Sequence, residues 1–158
     1  MDPSRAPGAK PIEAGTCCAT ALRKASRRLT QLYDNVLMPS GLRSTQFAIL
    51  AEVRRRAGAP PTVQDLATAL VLDRSALGHN LRPLVRDGLL ALRESAQDRR
   101  RRHVVLTRRG LAKYDSTRSL WQVAQERFTR SFGEAEAARL RSTLLTIAND
   151  ESLAALEA

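Results

Sequence analysis

The side chains in this sequence best suited to chemistry are cations. Arg99, Arg100, Arg101 and Arg102 stand in a row after Asp98 and before the apolar run Val104-Val105-Leu106. Between Arg93 and Arg109 seven arginines face only Glu94 and Asp98, a net +5 in one short segment. Guanidinium groups at this density suit a polyanion. They sit on phosphates, or enter a narrow A·T minor groove where negative potential is concentrated. A second set is spaced rather than clustered. Ser75, Gly78, His79, Arg82 and Arg86 recur at helical intervals, opposite the apolar positions Leu77, Leu81, Leu84 and Val85. A helix fits the major groove, where small polar groups and arginine reach base edges, and Arg74 stands at the start of this one. Ser75, His79 and Arg82 are therefore the expected readers; a plain solvated helix face is the alternative.

The third set is Cys17-Cys18. Adjacent cysteines make a poor disulfide staple, and no other cysteine is present to pair with them, which points to a reducing cytoplasm. A thiolate at a helix N-terminus is stabilised, and Arg23 and Lys24 are close in sequence. Three readings stay open for the pair: small apolar packing residues, redox or thiol-reactive sensing, and metal or metalloid binding. His79 and His103 are too few to complete a metal site, so no metal is expected. No Gly-rich phosphate loop, nucleophile elbow or paired-carboxylate constellation appears, so the chain is read as a non-enzyme without a cofactor.

Composition agrees. The 158 residues carry 26 Lys and Arg against 16 Asp and Glu, a net +10, which favours nucleic acid over an anionic membrane surface. Aromatics are only 4%, so a core must come from Leu, Ala and Val, which favours helices. There is no apolar run of about 18 residues, so no membrane span is expected, and the opening Pro- and Gly-containing stretch lacks the apolar core of a secretory signal.

Periodicity supplies the elements that would hold these residues. Leu22, Ala25, Leu29, Leu32 and Val36 form one stripe on a helix from Thr16 to Met38, stopped by Pro39 and Gly41. A second helix is expected from an N-cap at Ser44 to Gly58. Thr62 and Asp65 make a capping-box start for a third, and Asp73 caps a fourth that ends at Gly88. Pro83 removes the hydrogen bond to the His79 carbonyl and is expected to bend that helix without ending it. Two short strands, Leu89–Arg93 and His103–Thr107, bracket the arginine run. The run is thus the tip of a hairpin that follows a helix-turn-helix, and Asp98 shapes that tip by pairing with an arginine. Thr107 caps a long helix over 108–131, and Gly133-Glu134 opens another, with a last short turn over 152–157. The fold class is mainly α with a small β-wing: a winged helix-turn-helix plus a helical dimerisation region.

The order of these pieces resembles the MarR family of bacterial transcription regulators. The matching stretches are LTQLYDNVLMPSGLRSTQFAIL (29–50), TVQDLATALVLDRSALGHNLRPLVRDGLL (62–90) and DRRRRHVVLTRRG (98–110). The resemblance implies a homodimer whose first and last two helices pair across a twofold axis, each subunit presenting one winged helix to a pseudo-palindromic double-stranded operator. Such proteins are usually repressors, and many leave DNA on binding a small, often aromatic, ligand or on oxidation. The family's recognition helix maps onto Arg74–Asp87 and its wing onto Ser95–Arg102. Gly78 and His79 depart from the polar or Arg side chains common there. ASRRLTQLYD resembles the segment after the reactive cysteine of the hydroperoxide-sensing branch, although neither Cys17 nor Cys18 sits at the same offset from Ser26. The division expected is a frayed tail over 1–15, a dimerisation helix over 16–43, the DNA-binding domain over 44–107 and dimerisation helices over 108–158. Leu22, Leu29, Leu32, Trp121, Leu140 and Leu144 are the expected dimer contacts, because these stripes carry more apolar surface than one winged helix buries. Two other classes compete: an architectural, non-specific DNA-binding protein, and a winged helix used only for protein contact.

Overall fold

The computed structural model describes residues 15–94 and 102–153. Asp98, Arg99, Arg100 and Arg101 lie outside the described residues. The elements are α1 (Cys18–Leu37), a 3-10 turn (Met38–Ser40), α2 (Ser44–Arg55), α3 (Val63–Ala69), α4 (Arg74–Arg86), β1 (Leu90–Glu94), β2 (Arg102–Leu106), α5 (Arg108–Phe132), α6 (Glu134–Ala148) and a 3-10 turn (Glu151–Leu153). No helix among the described residues is long and apolar enough to cross a membrane.

Local chemistry explains most boundaries. Thr62 and Asp65 form the expected capping box: the Asp65 N–H donates to Thr62 Oγ1 at 3.1 Å, and the Thr62 N–H donates to Asp65 Oδ2 at 2.8 Å. Asp73 Oδ1 caps α4 by accepting from the Ala76 N–H at 2.8 Å. At the other end Gly88 takes φ +69°, with the Gly88 N–H on the Val85 carbonyl and the Leu89 N–H on the Leu84 carbonyl. That is the paired geometry a left-handed residue makes after a helix, and a side chain there is strained. α4 runs unbroken through Pro83, and Leu81 and Leu84 stay buried on either side.

Two boundaries differ from the sequence expectation. Ser44 is the first residue of α2 rather than its cap, and Arg43 takes the cap position. The Ser44 N–H is satisfied by Asp34 Oδ1 at 2.7 Å, a carboxylate on α1 ten residues earlier. The strands sit one residue from where they were expected, with Leu90 opposite Leu106 and Glu94 opposite Arg102 in an antiparallel register. Leu89 instead belongs to the turn that closes α4, and Thr107 to the cap of α5.

The main core lies inside the winged helix. Ile49, Leu50, Leu66, Leu77 and Val104 are all 0% exposed and pack with Val53, Leu84 and Leu90. α5 joins this unit through a tight seam. Thr107 Oγ1 accepts from the Gly110 N–H at 2.9 Å and donates to the Gly88 carbonyl at 2.6 Å. A Cβ at Gly110 would stand 1.9 Å from the Leu89 carbonyl oxygen. Only a glycine lets the first turn of α5 approach the wing this closely.

Candidate nucleic-acid interface

The exposed face of α4 is the centre of the site. Ser75, His79, Arg82 and Arg86 are exposed, and Gly78 is half-buried on the same side. Leu77, Leu81 and Leu84 anchor the opposite face in the core, so the rotation of the helix about its axis is set by burial. Among the described residues His79 and Arg82 have no side-chain partner within the chain. Arg86 is different: its Nε donates to Asp87 Oδ1 at 2.9 Å, and that hydrogen bond first, and the carboxylate's charge second, raise its pKa above the ordinary arginine value. A Cβ placed at Gly78 meets nothing within 4 Å. The protein's own packing therefore does not require glycine there; the gap leaves the backbone open to an approaching surface.

Arg74 is held from another element. Its Nη2 donates to Gln64 Oε1 on α3 at 3.4 Å. Arg74 and Arg102 line one groove of about 440 Å³ with Thr62, Gln64 and Asp65. The fold thus brings the start of α4 and the base of the wing together. β2 is fixed to the same place by the Val104 N–H on the Pro61 carbonyl at 2.8 Å and by His103 Nδ1–H on the Pro60 carbonyl at 2.8 Å. His103 is thereby a structural donor. Gln64 was not legible in the sequence, because its distance from Arg74 depends on how α3 crosses α4.

A second feature, also unforeseen, is an aromatic cleft. Tyr33, Phe47, Tyr114 and Trp121 line a cavity of about 480 Å³ between α1, α2 and α5. The chain has three Phe, two Tyr and one Trp, so four of its six aromatics converge here. Phe47 stacks on Tyr114 with ring centroids 5.5 Å apart, and Trp121 tilts against Phe47 at 6.4 Å. Trp121, expected at a dimer contact, is thus half-buried against its own chain. Glu52, Arg55 and Arg118 supply polar groups to the lining. The Glu52 carboxylate takes Arg55 at 2.6 Å and Arg56 at 2.6 Å, and the Arg55 hydrogen bond above all holds it below the usual Glu range.

The other expected contacts divide between two grooves. Leu22, Leu29, Leu140 and Leu144 meet in an apolar groove of about 540 Å³ between α1 and α6. Leu32 faces a different one, between α1 and α5. Cys17 and Cys18 are free and exposed, Cys17 at the cap position of α1. The Cys17 thiol is pulled below its ordinary value by the Thr20 side chain first and the Thr20 backbone N–H second. The Thr20 and Ala19 backbone N–H groups belong to the helix N-terminus, as expected, while Arg23 and Lys24, also expected to contribute, are not among those that act. No group of three or more His, Cys, Asp or Glu that could hold a metal occurs among the described residues.

Helix-turn-helix, hairpin and flanking long helices together define a winged-helix protein with a cationic reading face. A sequence model of the MarR family matches residues 40–101. The M. tuberculosis transcriptional regulator MosR, in complex with DNA, is 32% identical, with a TM-score of 0.77 over 89% of this chain and 99% of that one. The transcriptional repressor CouR, bound to a 23-mer DNA duplex, is 26% identical, with a TM-score of 0.76 over 88% and 99%. A cysteine-to-serine mutant of MarR from E. coli, complexed with operator DNA, is 25% identical, with a TM-score of 0.72 over 82% and 91%. No curated protein matches the chain. The chain belongs to the MarR family.

Proposed function

We propose that this chain is a sequence-specific repressor of transcription, binding a pseudo-palindromic double-stranded operator as a homodimer. The observation that carries the reading is the exposed Ser75, His79 and Arg82 face of α4, flanked by the groove that Arg74 shares with Arg102. α4 enters the major groove, where Arg82 suits a guanine edge and Ser75 and His79 its neighbours. Arg74 and Arg102 take phosphates at the border, and Arg99, Arg100 and Arg101 carry the wing into the adjacent minor groove. Residues 44–107 form the reading unit in this proposal, and 16–43 with 108–158 the dimerisation elements. A twofold copy places the second α4 about 34 Å away, one helical turn of DNA.

Release follows from the aromatic cleft. It lies where α1 and α5 meet α2, so a small aromatic ligand between Phe47, Tyr114 and Trp121 wedges the dimerisation helices against the reading unit. A second signal is favoured by Cys17, whose exposed and acidified thiol suits oxidation. There a hydroperoxide passes one oxygen to the thiolate, giving a sulfenic acid and the corresponding alcohol.

The test is fluorescence anisotropy with DNA from upstream of the gene, in excess competitor DNA, using reduced and peroxide-treated protein. Tight binding that survives a ~10³-fold excess of competitor is the expected result. Loss only on oxidation assigns the signal to the thiols, and binding in both samples removes the thiols as the switch and leaves a small-molecule inducer to be sought at the cleft. Binding erased by competitor in both samples points to an architectural DNA-binding protein instead.

A further inference from the structure

We infer that Val71, in the turn between α3 and α4, is a specificity-determining residue whose exposed isopropyl group packs on a thymine methyl group of the operator. The inference rests on the repressor reading and adds one base contact to it. It starts from a backbone conformation. Val71 has φ +49°, and every other described residue with a positive φ is a glycine, namely Gly15, Gly41, Gly88 and Gly133. The left-handed region crowds Cβ against the following carbonyl oxygen, and a branched Cβ suffers most.

The chain ends two helices with one pattern, so the comparison is internal. At the end of α3 the Val71 N–H donates to the Thr68 carbonyl at 3.2 Å and the Leu72 N–H to the Ala67 carbonyl at 2.9 Å. At the end of α4 the Gly88 N–H donates to the Val85 carbonyl at 3.0 Å and the Leu89 N–H to the Leu84 carbonyl at 2.9 Å. Both are the left-handed close of a helix, and in both the next residue is a leucine packed on the core. The position itself favours glycine or asparagine. α4 is followed by glycine, and α3 by a β-branched residue.

Packing within the chain does not hold this side chain in place. Val71 is 66% exposed, whereas its neighbours Leu70 and Leu72 pack against the core. One exposed apolar residue needs no explanation on its own. Exposure in a conformation that penalises the same side chain does need one. Its place in the fold supplies the reason. Val71 stands three residues before Arg74, the first residue of α4, and the N-terminal residues of a recognition helix are those that meet base edges. Asp73 is engaged in capping Ala76, and Arg74 is drawn toward Gln64. The turn thus presents the Val71 isopropyl group beside the start of α4. Its match on DNA is the C5 methyl of thymine, the apolar feature of the major groove.

The test reads stability and DNA binding together, on full-length protein with duplex from upstream of the gene and excess competitor DNA. Val71→Gly should raise the melting temperature by about 3 °C through release of the strain. Val71→Asn tolerates the left-handed region, lacks the methyl groups and should not lower it. Both variants should bind the duplex about fourfold more weakly per half-site, the affinity equivalent of one buried methyl group. Uracil is then placed for thymine, one symmetric pair at a time, which deletes only the methyl. At one such pair the parent protein should lose about fourfold per half-site, and Val71→Gly should lose nothing further. Variants that bind like the parent overturn the inference. So does a uracil scan in which every loss persists in Val71→Gly, because the turn then acts through its backbone alone. A lower melting temperature for Val71→Gly also overturns it, since the side chain is then packed within the chain. These three outcomes leave the repressor reading standing. A parent protein with no preference over competitor overturns that reading and the inference with it.

Discussion

The two halves of the molecule handle apolar surface in opposite ways. In the winged helix Ile49, Leu50, Leu66, Leu77 and Val104 are fully enclosed by residues of the same chain. In the long helices Leu22 is 36% exposed, and Phe132 and Leu145 are each 55% exposed. What α5 and α6 fully bury within the chain is small, namely Gly110, Thr117, Ala124 and Ala137, and α1 fully buries only Leu37 at its end. One half carries a self-sufficient core, and the other leaves apolar stripes exposed. In the proposed dimer the α4 face is held by the core of one subunit, while its spacing from the second α4 depends on the association of the long helices.

The contrast is broken most sharply by matched truncations. Leu50→Ala should cost about 2–5 kcal/mol of unfolding free energy through the cavity it leaves. Leu145→Ala should cost far less at low protein concentration, and should lower stability in a concentration-dependent way if its face pairs with a second copy. Urea melts at two concentrations separate the cases, and equal losses in both variants would erase the distinction. On the reading face, Arg82→Ala should weaken specific binding by about 1–3 kcal/mol and relax sequence preference at one base pair. Arg102→Ala should weaken binding to all sequences alike and lower the salt slope by about one. A salt titration with operator and random duplex decides which arginine reads and which positions.

Two smaller effects sharpen the picture at the cleft and at α1. Glu52 is held below the usual Glu range, so its contribution is complete above the ordinary value of 4.5 and is lost as pH falls through the lower folded value. Glu52→Gln should remove that acid-dependent loss at a cost of about 1 kcal/mol or less near neutral pH. Thermal melts from pH 7 down to pH 3 show whether the variant's curve is flatter. Cys17 should be alkylated with an inflection below that of an ordinary thiol, with no change in stability. Thr20→Val should move the inflection upward, and an unmoved inflection would falsify the role given to Thr20.

Much of the fold was legible because its signals are local. The caps at Thr62, Asp73 and Thr107 each work within three residues, and Gly88 ends α4 by a backbone conformation. The α4 face follows from leucines at helical spacing, which hold their register through Pro83. The cap of α2 was misread because its partner, Asp34, lies on another helix. The strands were set one residue off because Leu89 and Thr107, though apolar and β-branched, are used in the turns that flank them. For Cys17 the expected help of the helix N-terminus is present, through the Thr20 and Ala19 backbone N–H groups, whereas Arg23 and Lys24 do not act, because proximity in sequence is not contact.

The sequence by itself determined which segments are helical, where the wing falls, which face of α4 is polar and how strongly cationic the reading surface is. Those properties come from periodicity, from caps acting over three or four residues and from charge count, all written along the chain. Only the tertiary structure decided that Gln64 meets Arg74, that Gly110 must seat under the Leu89 carbonyl, and that four scattered aromatics line one cleft. These contacts join residues up to 88 positions apart, from Tyr33 to Trp121, and depend on how helices cross. A crossing angle is set by the whole packed core and has no signature at any single position.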